Sequence, residues 1–218
     1  IYDVHEDESV VEIPPDISIT ETENTVKKFY VNGVEVTLAG ERVQYYGKDG
    51  KLTTESFVDY TRKNLKARFT AMNDFIKKWS EADKKTAIIK ELEEQGVMFA
   101  KLSEEVKKKT GKELSIFDLI CHVAFDMPPL SRKERAENVK KRNYFGKYSD
   151  KARAILNALI DKFADEGIAG IESKDILKFQ PFNAFGTPYE IIKEFGGKEK
   201  YEEAIKELEK ELFKDIVA

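Results

Sequence analysis

The rhythm of hydrophobic and polar positions changes once along this 218-residue chain, near residue 54. Between 26 and 53 the β-formers come in short runs. KKFYV and VEV flank Asn32-Gly33, a pair that suits the positive φ of a two-residue hairpin turn. Arg42–Tyr46 and Lys51–Thr53 flank Gly47-Lys48-Asp49-Gly50 and predict a second, weaker hairpin. Four such strands make a sheet too small to stand alone, so it must pack on a neighbour. From Thr54, read as an N-cap, the period becomes helical. Phe57, Tyr60, Leu65, Phe69 and Met72 share one face, continued by Phe75, Ile76 and Trp79.

Further helices follow from the same spacing. Ser80–Gln95 carries a stripe of Ala87, Ile88 and Leu92 and stops at Gly96, and Val97–Thr110 ends in three lysines before Gly111, cations where a helix C-terminus favours them. Ser115 caps a helix that is apolar nearly all round from Ile116 to Phe125, which places it in the centre of a core. Pro128-Pro129 breaks it, and Ser131 with Glu134 forms a capping box for the next segment. Ser149 caps a helix whose wide face is Ala152, Ile155, Leu156, Leu159, Ile160 and Phe163, ending near Gly167. After a connector with a helical turn at Ser173–Leu177 and the run Phe179, Phe182, Phe185 come a short helix, Pro188–Phe195, and a last one, Glu199–Phe213. In that last helix Tyr201, Ala204, Ile205, Leu208 and Leu212 point inward and the carboxylates form a solvated face. The fold class is mainly α: an acidic linker over 1–25, a small β-hairpin segment over 26–53 and a helical domain over 54–218.

Charge changes the picture at two places. Residues 1–25 hold eight acids and no Lys or Arg, with Pro14-Pro15 in the middle, which reads as an extended acidic linker. Between Arg132 and Arg153 nine Lys or Arg face three acids, and Tyr144, Phe145 and Tyr148 sit among them. Net charge is −4, so any basic patch is local. The candidate contact residues are Arg132, Lys133, Arg135, Lys140, Lys141, Arg142, Tyr144 and Lys147. The cations suit phosphates and Tyr144 a base or sugar, but they equally suit an acidic protein surface, including residues 1–25 of this chain. A solvated helix and turn with its aromatics folded inward is the plain alternative.

Catalytic chemistry is sparse. His5 lies in the linker, and His122 beside Cys121 lies in the apolar helix, where a satisfied core histidine and a small buried thiol are expected. Asp16 and the trio Asp49-Gly50-Lys51 match the spacing of a metal-dependent nuclease motif, yet Asp49 stands where a turn wants Asp. No phosphate-binding glycine loop is found, so no catalytic, metal or cofactor residue is assigned. A single cysteine fits the cytoplasm, no window is long and apolar enough for a membrane span, and the start at Ile1 is expected of a piece of a longer chain.

Several stretches together resemble the C-terminal region of type I restriction enzyme motor (R) subunits, the EcoEI-type R-protein C-terminal family. They are KKFYVNGVEVTLAGERVQYYGKDGKLTTESFVDYTRKNL, WSEADKKTAIIKELEEQGV, IFDLICHVAFDMPPLSRKERAENVKKRNYFGKYSDKARAILNALIDKFADEGI and FGGKEKYEEAIKELEKELF. The resemblance implies a tail behind a nuclease domain and two ATP-driven translocase domains, in a subunit expected to use ATP and Mg. It implies that the tail holds the motor to the methyltransferase and specificity subunits and touches the translocase domains of its own chain; the alternative, drawn from the basic segment 132–153, is a helical module that contacts duplex DNA at the motor exit. The hairpin segment becomes the seam to the motor, and the acidic stretch the linker leaving it. No catalytic residue of the family maps onto these positions.

Overall fold

The computed structural model describes residues 27–31, 34–142, 144–173 and 175–214. The acidic stretch, with His5 and Asp16, lies outside them, as do Asn32 and Gly33 themselves. Four strands, β1 (Lys27–Val31), β2 (Val34–Ala39), β3 (Arg42–Tyr46) and β4 (Leu52–Ser56), form an antiparallel meander in sequence order. Val31 pairs with Val34 across the Asn-Gly position, and Tyr46 pairs with Leu52 across the second turn. In that turn the Asp49 carboxylate accepts the Lys51 N–H at 3.1 Å, so this acid of the nuclease-like spacing serves the turn. Side-chain alternation sends Val36, Leu38 and Val43 into the core.

The strand β4 runs on through Thr54, and Ser56, not Thr54, is the cap of α1 (Phe57–Arg68), its hydroxyl accepting the Asp59 N–H. The Phe57 N–H reaches back to the Glu41 carbonyl at 2.8 Å, and Tyr45 meets Tyr60 at 5.2 Å, which ties the sheet to the helical body. The long apolar face that follows is divided between two helices. Phe69 turns extended, and α2 (Met72–Glu81) starts after it, where the Asp74 carboxylate accepts the Ala71 N–H. Likewise α3 spans Lys85–Glu94, shorter than its pattern predicts, with Ala87 exposed. Lys84 has no side chain able to cap it, and Glu172 does so from a distance by accepting the N–H groups of Lys85 and Thr86.

α4 (Phe99–Thr110) ends on Gly111 at φ 71°, the left-handed conformation that glycine supplies without strain. α5 (Ile116–Phe125) is the central helix; Phe117, Leu119, Ile120, Cys121, Val123 and Ala124 are all buried, and His122 is satisfied by the Met127 carbonyl at 2.7 Å. Burial also pushes the Cys121 thiol up to about 12, so it stays protonated. α6 (Arg132–Lys141), α7 (Asp150–Glu166) and α8 (Ile168–Glu172) follow, then α9 (Pro188–Glu194) and α10 (Lys198–Leu212). The predicted turn at 173–177 is a 3-10 turn at Ile176–Lys178, and Phe182 is buried while Phe179 is exposed. Trp79, Phe75, Phe117, Phe163 and Phe213 form one aromatic cluster joining α2, α5, α7 and the end of α10.

Candidate partner interface

The basic segment begins at a strong helix start. Ser131 accepts the Glu134 N–H, and Glu134 accepts the Ser131 N–H at 2.8 Å, which leaves two fewer orphan donors in the first turn. Lys112 also donates to Glu134 at 2.8 Å, and its ammonium with the Ser131 contacts holds the Glu134 carboxyl near 2. The resulting helix, α6, buries only Arg135, Ala136 and Val139. Its apolar stripe is too narrow to hold it by itself, so ionic contacts complete its seat against α7 and α10.

Most of the predicted contact residues are engaged in such contacts, Arg135 in the core and Lys140 and Lys147 while still exposed. Arg132 donates to Glu113 at 2.9 Å. Arg135 is 0 % exposed. Its Nε donates to Asp118 Oδ2 at 2.8 Å, its Nη2 donates to Asp118 Oδ1, and its Nη1 donates to the Leu212 carbonyl. The guanidinium carbon lies 5.5 Å from the ring centres of both Phe117 and Phe213. Arg135 is therefore a buried cross-brace, which corrects its reading as a surface contact. Lys140 pairs with Asp161 on α7, and Arg142 donates to the Glu211 carbonyl while its Nε lies 3.5 Å from the Glu211 carboxylate.

Downstream, a 3-10 turn (Tyr144–Lys147) brings Tyr144, Lys147 and Tyr148 onto one acceptor. Lys147 donates to Glu207 Oε2 at 2.6 Å and Tyr148 at 2.8 Å, and the Tyr144 hydroxyl donates to the same oxygen. The Lys147 ammonium stands 5.1 Å from each tyrosine ring centre. These donors, Lys147 foremost, hold the Glu207 carboxyl down to about 2, and Glu207 in turn raises the Lys147 ammonium. Burial and Glu207 together raise the Tyr144 phenol, so its ring and hydroxyl are both engaged within the chain. Of the predicted contacts, Lys133 and Lys141 are exposed and have no ion pair among the described residues.

The acids that complete this arrangement escaped the sequence reading. Glu209 and Glu211, placed above on a solvated face, are only 4 % and 8 % exposed. Glu209 lies 3.6 Å from Lys85, beside a cleft of about 640 Å³ lined by Trp79, Lys206 and Phe213. Asp118 carried a legible signal, being the one acid in an otherwise apolar helix, where a carboxylate requires a buried partner. Glu207 carried none, because its spacing on α10 looks like that of any exposed acid. Among the described residues no group of three His, Cys, Asp or Glu is placed to hold a metal ion. No described helix is long and apolar enough to cross a membrane.

Residues 55–213 match the model of the family described as EcoEI R protein C-terminal. The chain belongs to this family. It is thus a C-terminal domain of a type I restriction enzyme R subunit. The chain is also 54 % identical over 194 residues to the type I restriction enzyme EcoAI endonuclease subunit of Escherichia coli, a match covering 88 % of this chain and 24 % of that protein. The chain therefore spans about a quarter of that relative's length. No solved structure matches it.

Proposed function

We propose that this domain docks the R subunit onto the methyltransferase–specificity core of its restriction–modification system. The subunit as a whole would be an ATP- and Mg-dependent deoxyribonuclease that translocates DNA, acting in the cytoplasm. The observation that carries the reading is where the charge of the basic segment goes. Arg132, Arg135, Lys140, Arg142 and Lys147 each pair with an acid of another element, namely Glu113, Asp118, Asp161, Glu211 and Glu207. Phosphate binding draws its strength from cations free to displace counterions. A segment whose cations already brace α6 against α5, α7 and α10 is better suited to making a rigid scaffold, the property a docking module needs.

The test is co-purification of the subunit with its methyltransferase and specificity subunits, intact and with residues 54–218 removed, at low and at moderate salt. The intact subunit is expected to assemble at both salts, and the truncated one to keep its ATPase activity and fail to assemble. Assembly by the truncated subunit overturns the proposal. Contact with duplex DNA is the second reading, favoured by the exposed Lys133 and Lys141. Under the docking reading their change to Glu leaves DNA affinity at all salts unchanged; a steep, salt-dependent loss would favour DNA instead.

A further inference from the structure

The four-stranded sheet rests one face on the core and turns the other outward, and the outward face carries a hydrophobic row. Directly paired residues in an antiparallel sheet share a face. The register sets Tyr30 beside Glu35 and Tyr46 beside Leu52, and one further step of the β2–β3 register sets Glu35 beside Tyr46. Tyr30, Glu35, Tyr46 and Leu52 thus form one row across all four strands. Tyr30 is 67 % exposed, Tyr46 64 % and Leu52 56 %. The charges in and beside this row cancel, since Lys28 donates to Glu35 at 2.8 Å and the Tyr30 hydroxyl donates to the same carboxylate at 3.1 Å. A contiguous row of two tyrosines and a leucine, with its one acid already paired, has the make-up of the centre of a protein–protein contact.

What covers it follows from where the sheet stands in the longer protein. The family match starts at residue 55, so the strands lie ahead of the family's own domain apart from the end of β4. The match to the E. coli subunit, 194 residues in a chain of 218, is too long to leave the strands out, and it amounts to 24 % of that subunit. A family defined by its C-terminal place puts the remaining three-quarters of such a subunit on the N-terminal side, entering through β1. We infer that the outer face of the sheet is packed against the domain that precedes it in the same R subunit, with the Tyr30–Tyr46–Leu52 row at the centre of that contact. The contact is intramolecular, and it stands independently of any docking to the methyltransferase–specificity core.

The experiment is hydroxyl-radical footprinting with mass spectrometry on the full-length R subunit that carries this sequence, without its partner subunits. Tyr189, 74 % exposed on α9, is the reference within the same molecule. If the face is covered, Tyr30 and Tyr46 are oxidised at least about fivefold more slowly than Tyr189, since the centre of a packed contact excludes water. Oxidation of all three within about twofold, as their similar exposures here require for an open face, overturns the inference. Protection that disappears on tenfold dilution would assign the face to a second copy and overturns it equally. The double variant Tyr46→Glu/Leu52→Glu, on exposed positions, is expected to raise Tyr30 oxidation about fivefold by burying charge in the contact. An unchanged Tyr30 in that variant counts against the contact.

Discussion

Replacing Arg135 by Met tests whether the basic segment braces the fold. Arg135 is completely buried, and Asp118, only 3 % exposed, receives its guanidinium through two hydrogen bonds and the Ser115 hydroxyl through a third at 2.6 Å. Methionine keeps most of the volume between Phe117 and Phe213 but leaves the Asp118 carboxylate and the Leu212 carbonyl without their donor. Removing one partner of a buried ion pair costs about 3–5 kcal/mol, because the remaining charge is left uncompensated. At this chain length that corresponds to a fall in Tm of roughly 10 °C. Urea unfolding followed by fluorescence reads it directly, since Trp79 is the single tryptophan and packs 5.3 Å from both Phe117 and Phe213. The double variant Arg135→Met/Asp118→Leu is expected to recover most of the loss, as an apolar pair can replace a buried ion pair. A loss below about 1 kcal/mol in Arg135→Met would refute the brace, because it would place the pair in the range of surface salt bridges.

Two further perturbations probe other parts of the domain. Burial lifts the Glu209 carboxyl from its ordinary value to about 7 despite Lys85 at 3.6 Å, with Glu172 adding to the rise and Lys206 opposing it. The native state then holds that proton more tightly than the unfolded chain does, so its contribution is full below the ordinary carboxylate range. It is lost as pH rises to about 7, by about 3 kcal/mol in all. Glu209→Gln should match the wild type at pH 5 and exceed it in Tm at pH 8; parallel pH profiles for the two proteins would refute this. Gly111→Ala meets no atom within 4 Å, so its effect is the left-handed backbone alone, about 1–2 kcal/mol, and Gly111→Asn should restore part of it. Chemical denaturation of both variants decides this, and an unchanged midpoint for the alanine variant contradicts it.

The sequence by itself determined what depends on neighbours a few residues apart. The bounds of β3, the caps at Ser115, Ser131 and Ser149, the stop at Gly111 and the inward face of α7 were all readable, because each is a matter of turn chemistry or of i, i+3 and i+4 spacing. The same local logic extended the apolar face from Phe57 to Trp79 without the break at Phe69, and began α3 too early. What starts α3 at Lys85 includes Glu172, a carboxylate 87 residues away from the Lys85 N–H that it accepts. The basic segment shows the limit most clearly. Its charge was plain in the sequence, but its partners Leu212 and Glu207 stand 77 and 60 residues from Arg135 and Lys147. A Lys or Glu on a helix has the same spacing whether it faces water or a counter-charge. Only the packing of α6 and α10 decides which, because burial and charge pairing belong to two surfaces meeting and not to either one alone.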